Sequence, residues 1–211
     1  MSISLKLIDS NTKIAKDINK ALALEINRII SKNARIVQNK LKQRIPSWIK
    51  EQPEIVSLGN DGQLGSLNAQ FGLEFGTSDS AISAIANAVA DSTQVKITKV
   101  GKTLKGGVEF LIQPSSFSNL LGLPQGFVRT KKGTNLHWLD WLLTKGSTVI
   151  ISGYEYTPSF EGRSGGGIMS GGSVWRVPPQ FAGTESNNFV TRALENREKE
   201  LAVILKELLN V

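Results

Sequence analysis

Apolar and polar residues alternate at the start of the chain, with Ile3, Leu5 and Leu7 separated by Ser4 and Lys6. Period two puts the three on one face of an extended segment and predicts a short strand over residues 2–8. The spacing then changes. Ile14, Ile18, Leu22, Ile26, Ile29, Ile30, Val37 and Leu41 recur at three, four or multiples of these. One apolar stripe at that spacing predicts a helix from about Thr12 to Arg44, opened by capping candidates in Asp9-Ser10-Asn11-Thr12. Some thirty residues rising 1.5 Å each span roughly 45 Å. A helix of that length is expected to cross a sheet and project toward a neighbouring subunit. Pro46 and Pro53 are expected to break it into shorter pieces.

Further along, Leu64, Leu67 and Phe71 suggest a helical segment within residues 63–72, after the Gly59-Asn60-Asp61-Gly62 turn. Ile82, Ile85, Ala86 and Val89 predict a close-packed helix from Thr77 to about Ala90. Residues 94–100 and 107–113 alternate around Val95, Ile97, Val108, Phe110 and Ile112, with glycines between them, and predict a hairpin. A short helical turn is expected after Pro114-Ser115-Ser116. A helix apolar on nearly all sides is expected over residues 135–145, stopped by Gly146. Strands are predicted over residues 147–157 and 174–177, joined through the Gly-rich stretch Gly162–Gly172. The last helix is expected from Asn187 or Ser186 to about Leu209.

Composition adds a directional charge. Residues 13–50 hold ten bases (Lys13, Lys16, Lys20, Arg28, Lys32, Arg35, Lys40, Lys42, Arg44 and Lys50) against Asp17 and Glu25. The whole chain is +7, so this segment at +8 leaves −1 for the rest. Such a surface suits nucleic acid or an acidic partner, and a solvated helix face is the plain alternative. Trp48 is the one aromatic among these bases, which argues against base stacking on single strands. There is no cysteine and one histidine, His137. Thiolate chemistry is excluded, and no Gly-x-Ser-x-Gly elbow presents a nucleophile to that histidine. No acidic loop of metal-binding spacing occurs, and the Gly-rich stretch lacks the Gly-Lys-Ser/Thr ending of a phosphate loop. No cofactor is expected. Glycines are costly to order, so the loop is expected to be mobile until it meets a partner. No apolar run reaches the roughly 18 residues of a membrane span, and the N-terminus does not read as a signal peptide.

The order of elements, with Gln63-Leu64-Gly65-Ser66-Leu67 after the long helix, is one of two features that carry a resemblance. The other is the junction Pro178-Pro179-Gln180-Phe181 followed by Asn188-Phe189-Val190-Thr191-Arg192-Ala193-Leu194-Glu195. These features resemble the tail-completion family of long-tailed phages, the head–tail joining and tail-terminator proteins. Ser66 stands where that family usually has a basic residue. The resemblance implies a non-enzymatic ring, a hexamer, at the junction of tail tube and head connector. Genomic DNA would pass through its lumen unread, with no membrane involved. Residues 72–92 and 160–174 look like insertions or arms on a single domain over residues 1–211.

The expected fold is α+β. A mixed or antiparallel sheet is packed by the long N-terminal helix and a C-terminal helix, with an extended Gly-rich loop. Interface candidates are Trp138, Trp141, Leu142, Trp175, Arg163, Ile168, Met169, Phe181, Phe189 and Arg192; for the tryptophans and Leu142 a core role is the equal alternative. Candidates to face the lumen, an acidic partner or DNA are Arg28, Lys32, Arg35, Lys40, Lys42 and Arg44.

Overall fold

The computed structural model describes residues 8–130 and 133–209; the strand expected over residues 2–8 lies outside them, Ile8 apart. The protein mixes helices with small antiparallel sheets between a long N-terminal helix and a C-terminal helix. Its residues group into two compact units. The first comprises residues 8–40, 94–111 and 199–209, and the second residues 41–93 and 112–198.

Helix α1 (Asn11–Lys50) supplies both units. Ser10 caps it, accepting from the Lys13 and Ile14 amides through its carbonyl and from Lys13 N again through its hydroxyl. The break expected at Pro46 does not occur. Proline removes one backbone donor and costs a helix interior about 3 kcal/mol. Around it, however, Ile45, Trp48 and Ile49 are fully buried. Each such side chain contributes roughly 1.5–3 kcal/mol, so burial outweighs the local penalty. Pro53 does mark a boundary, as the first residue of α2 (Pro53–Gly59), where a missing amide costs nothing.

In the first unit, β1 (Gln94–Thr98) and β2 (Gly107–Leu111) form the expected hairpin, with Val95 opposite Phe110 and Ile97 opposite Val108. Helix α8 (Glu198–Leu209) belongs to this unit from Lys199 on.

The second unit holds α3 (Leu67–Phe71), α4 (Ser78–Asp91), α5 (Ser118–Leu121), the short pair β3 (Val128–Arg129) and β4 (Asn135–Leu136), α6 (Leu139–Leu143), β5 (Ile151–Thr157), β6 (Ile168–Trp175) and α7 (Phe189–Leu194). Its core centres on Phe71, whose ring lies 5.4 Å from Trp138 and 5.8 Å from Trp175. Ile85, Leu120, Leu139 and Phe189 are buried around it. The strands form three separate two-stranded ladders among the described residues, in place of one continuous sheet.

Two helices are shorter than the pattern predicts. Asn135 and Leu136 leave the expected apolar helix to pair with β3, so only Leu139–Leu143 is helical. The last helix is split, because Glu195 is extended and Asn196 is left-handed at φ 57°. Its start is set by Asn188 rather than Asn187 or Ser186. The Asn188 side chain accepts from the Val190 and Thr191 amides at 3.0 and 3.1 Å. Thr191 returns the bond to the Asn188 amide at 2.9 Å, completing a capping box.

Candidate functional site

The Gly-rich stretch is built into the second unit. Residues 168–172 belong to strand β6, and residues 162–167 pack against the segment that follows α2. Tyr156 on β5 is the hinge pin: its hydroxyl donates to the Gly166 carbonyl at 2.6 Å and accepts from the Gly65 amide at 2.8 Å. Ser164 is fully buried. A Cβ on Gly166 would sit 2.5 Å from the Gln63 carbonyl oxygen, and one on Gly167 would lie 2.0 Å from the Tyr156 ring. The glycines are thus required for close approach, and the mobile arm expected here is instead packed structure. The facing segment is held by Asp61. Its Oδ2 accepts from the Gly76 amide at 2.9 Å, and its Oδ1 accepts from Ser78 at 2.5 Å and from Asn68. The network satisfies a carboxylate inside a turn, which fixes loop geometry.

A second polar centre joins α2 to α7. Glu54 is 1% exposed and receives the Arg192 guanidinium, itself 33% exposed. Arg192 also donates to Asn187 Oδ1 at 2.6 Å. Arg197 reaches Glu51 at 3.0 Å and lies 5.3 Å over the Trp48 ring. Arg192 engages one carboxylate oxygen of Glu54, and the other, Oε2, is buried without a partner among the described residues. His137 is exposed, its ring 5.4 Å from Phe127. No group of three or more potential metal ligands converges among the described residues. No described helix is long and apolar enough to cross a membrane.

The interface candidates divide by burial. Trp138, Leu142, Trp175 and Phe189 are buried in the second unit, so their area goes to the chain's own core rather than to a subunit contact. The indole N–H groups of Trp138 and Trp175 have no partner among the described residues, at a cost of about 1–3 kcal/mol each. Phe181 and Arg192 are half-buried. Trp141 is too, covered by Lys145 at 5.0 Å over its ring and donating to Thr148 at 3.1 Å. Arg163, Ile168 and Met169 remain exposed, with Arg163 donating to the Arg129 carbonyl at 3.3 Å.

The charged surface is broader than the one helix that carries it in the sequence. Among the described residues the first unit has thirteen Lys and Arg against six Asp and Glu, and the second has nine against twelve. Lys96, Lys99, Lys102 and Lys105 on the hairpin add to the bases of α1. Asn27 ties the two elements together: its side chain donates to the Val100 carbonyl at 2.9 Å and accepts from the Val100 amide at 2.8 Å.

Not all the bases are equivalent. Arg28 is engaged by Glu25 at 2.6 Å. Hydrogen bonding between them holds the Glu25 carboxyl below the usual range and raises Arg28. Lys42 lies 3.6 Å from Asp91 and donates to its carbonyl. Lys32, Arg35, Lys40 and Arg44 are exposed. Lys16, Lys20, Lys99, Lys102 and Lys105 are exposed and form no ion pair among the described residues. Counting charge along the chain misses this arrangement because the hairpin lies some seventy residues from the helix it touches; an Asn amid a basic stripe is the one local signal.

No protein-family model, curated protein or solved structure matches this chain.

Proposed function

We propose that the protein is a non-enzymatic structural subunit of a tailed phage's neck. In this reading it forms a ring, a hexamer, that caps the tail tube and joins it to the head connector with DNA in the lumen. It is assembled in the host cytoplasm and ends in the virion. The observation that supports the reading best is the division of charge. One unit is +7 over its described residues, and the other, once its sequence's Lys131 and Lys132 are counted, is −1, a division suited to a subunit that offers one unit to a polyanion.

Exposed apolar side chains on α1 also support it. Ile18 is 53% and Leu22 46% exposed, and neighbouring subunits in a ring would cover such positions. The test is the mass in solution by light scattering at low and moderate salt, followed by electron microscopy. A ring-sized species, or rings forming at high concentration or on tail tubes, supports the proposal. A strict monomer in all conditions that binds duplex DNA favours the alternative, a non-specific DNA-binding accessory protein.

A further inference from the structure

Two unpaired bases of α1, Lys16 and Lys20, share a line with Asn27 that Lys32 and Arg35 do not join. On α1, Lys16, Lys20 and Asn27 are spaced by four and seven residues, which places them within about 40° of one another around the helix. From Asn27 to Lys16 is roughly 16 Å along the axis. Asn27 is the residue that grips Val100, so the hairpin tip is fixed at one end of this line. The tip is itself tightly folded. Gly101 N donates to the Lys105 carbonyl at 3.0 Å, and Leu104 N to the Gly101 carbonyl at 2.9 Å. A Cβ on Gly106 would meet the Lys99 carbonyl at 2.7 Å. Lys99, Lys102 and Lys105 are therefore held close to the Asn27 end of this line rather than waving free of α1. Bringing these like charges together opposes folding unless something negative relieves the repulsion.

We propose that the hairpin tip and the Lys16–Lys20 stripe of α1 form one phosphate-tracking surface for duplex nucleic acid, positioned by the Asn27–Val100 clamp. No aromatic side chain stands among Lys99–Gly106 or between Lys16 and Asn27, so the surface has no stacking platform and follows backbone without reading bases. This deepens the neck reading by naming the residues that would meet DNA. The two fail separately, because ring formation is read from mass and phosphate contact from binding.

The test is binding of the full chain to a fluorescent mixed-sequence duplex, titrated at several salt concentrations. Five phosphate contacts predict a log–log salt slope of about −4.5. Lys99→Gln/Lys102→Gln/Lys105→Gln should weaken binding at least tenfold at low salt and flatten the slope by roughly 2.7. A variant of equal charge loss on the second unit, Lys50→Gln/Arg129→Gln/Arg176→Gln, should stay within twofold. Asn27→Ala keeps every charge and should still weaken binding severalfold, with circular dichroism confirming an unchanged fold. Equal weakening by the two triple variants would mean that net charge alone acts, and would overturn the proposal. So would absence of duplex binding, or displacement of duplex by poly-glutamate at matched charge concentration, which would assign the surface to an acidic protein.

Discussion

In the second unit, several polar groups are drawn inward and engaged: Glu54 by Arg192 through one oxygen, Tyr156 by Gly65 and Gly166, Asp61 by three donors. In the first unit they are left outside, and Lys16, Lys20, Lys99, Lys102 and Lys105 have no counter-ion among the described residues. Buried, satisfied networks fix one arrangement because every alternative strands a polar group. Surface charge of one sign fixes nothing by itself and costs stability through repulsion, but it attracts an oppositely charged partner. The second unit thus holds its arrangement partly through inward polar contacts, and the first leaves its lysines to solvent.

The sharpest way to break this contrast is at Gly183. A Cβ there would lie 1.8 Å from the Leu142 carbonyl oxygen, so Gly183→Ala must displace backbone and should cost ~3 kcal/mol or more. Gly171 has open space around it, and Gly171→Ala should shift stability by less than about 0.5 kcal/mol. Urea unfolding of the pair measures both, and equal midpoints would show that the second unit is not closely packed.

Next in size is Arg192→Ala, which leaves a buried Glu54 without its cation. The expected loss is about 3 kcal/mol, at the lower end for a buried pair because the arginine is partly solvated. Glu54→Gln/Arg192→Met should recover most of it, read as the thermal midpoint. Smaller still, Asn27→Ala removes two hydrogen bonds to Val100. It should cost about 1 kcal/mol, seen as faster hydrogen exchange of the Val100 amide with little change at Ile85.

The smallest effect is electrostatic. Arg28→Gln should return the Glu25 carboxyl upward toward an ordinary glutamate, measured by NMR titration. A carboxylate held below its unfolded value adds stability that is present above that value and lost as pH falls through the lowered one. The wild type should therefore lose this contribution in acid, and the variant should have none to lose.

The sequence patterns that survive in the structure are those set by local spacing. The 3.6-period stripe of Ile30, Val37 and Leu41 gives α1, the alternation around Val95 and Phe110 gives the hairpin, and the alanine-rich run gives α4. What was illegible depends on partners distant in the chain. Pro46 reads as a breaker until Trp48 and Ile49 are seen buried. Leu136 reads as helical until β3 is found beside it. The Gly-rich stretch reads as a flexible tip because nothing local announces Tyr156, Gln63 and Ala69 as the atoms it must approach. The basic surface was half legible: the helix declares its lysines, whereas the hairpin's contribution needs Asn27 to be recognised as a clamp. The tryptophans illustrate the limit of composition, since core and interface draw on the same residues.

The Asn27–Val100 clamp also has a kinetic side. It joins residues 73 positions apart, and a loop of that length closes slowly because the search must be completed before any bond forms. The intervening residues 41–93 belong to the second unit. Once they have collapsed into it, the effective tether between helix and hairpin is much shorter, and closure becomes easy. A chain in which Gly183→Ala delays that collapse should therefore acquire its clamp late as well.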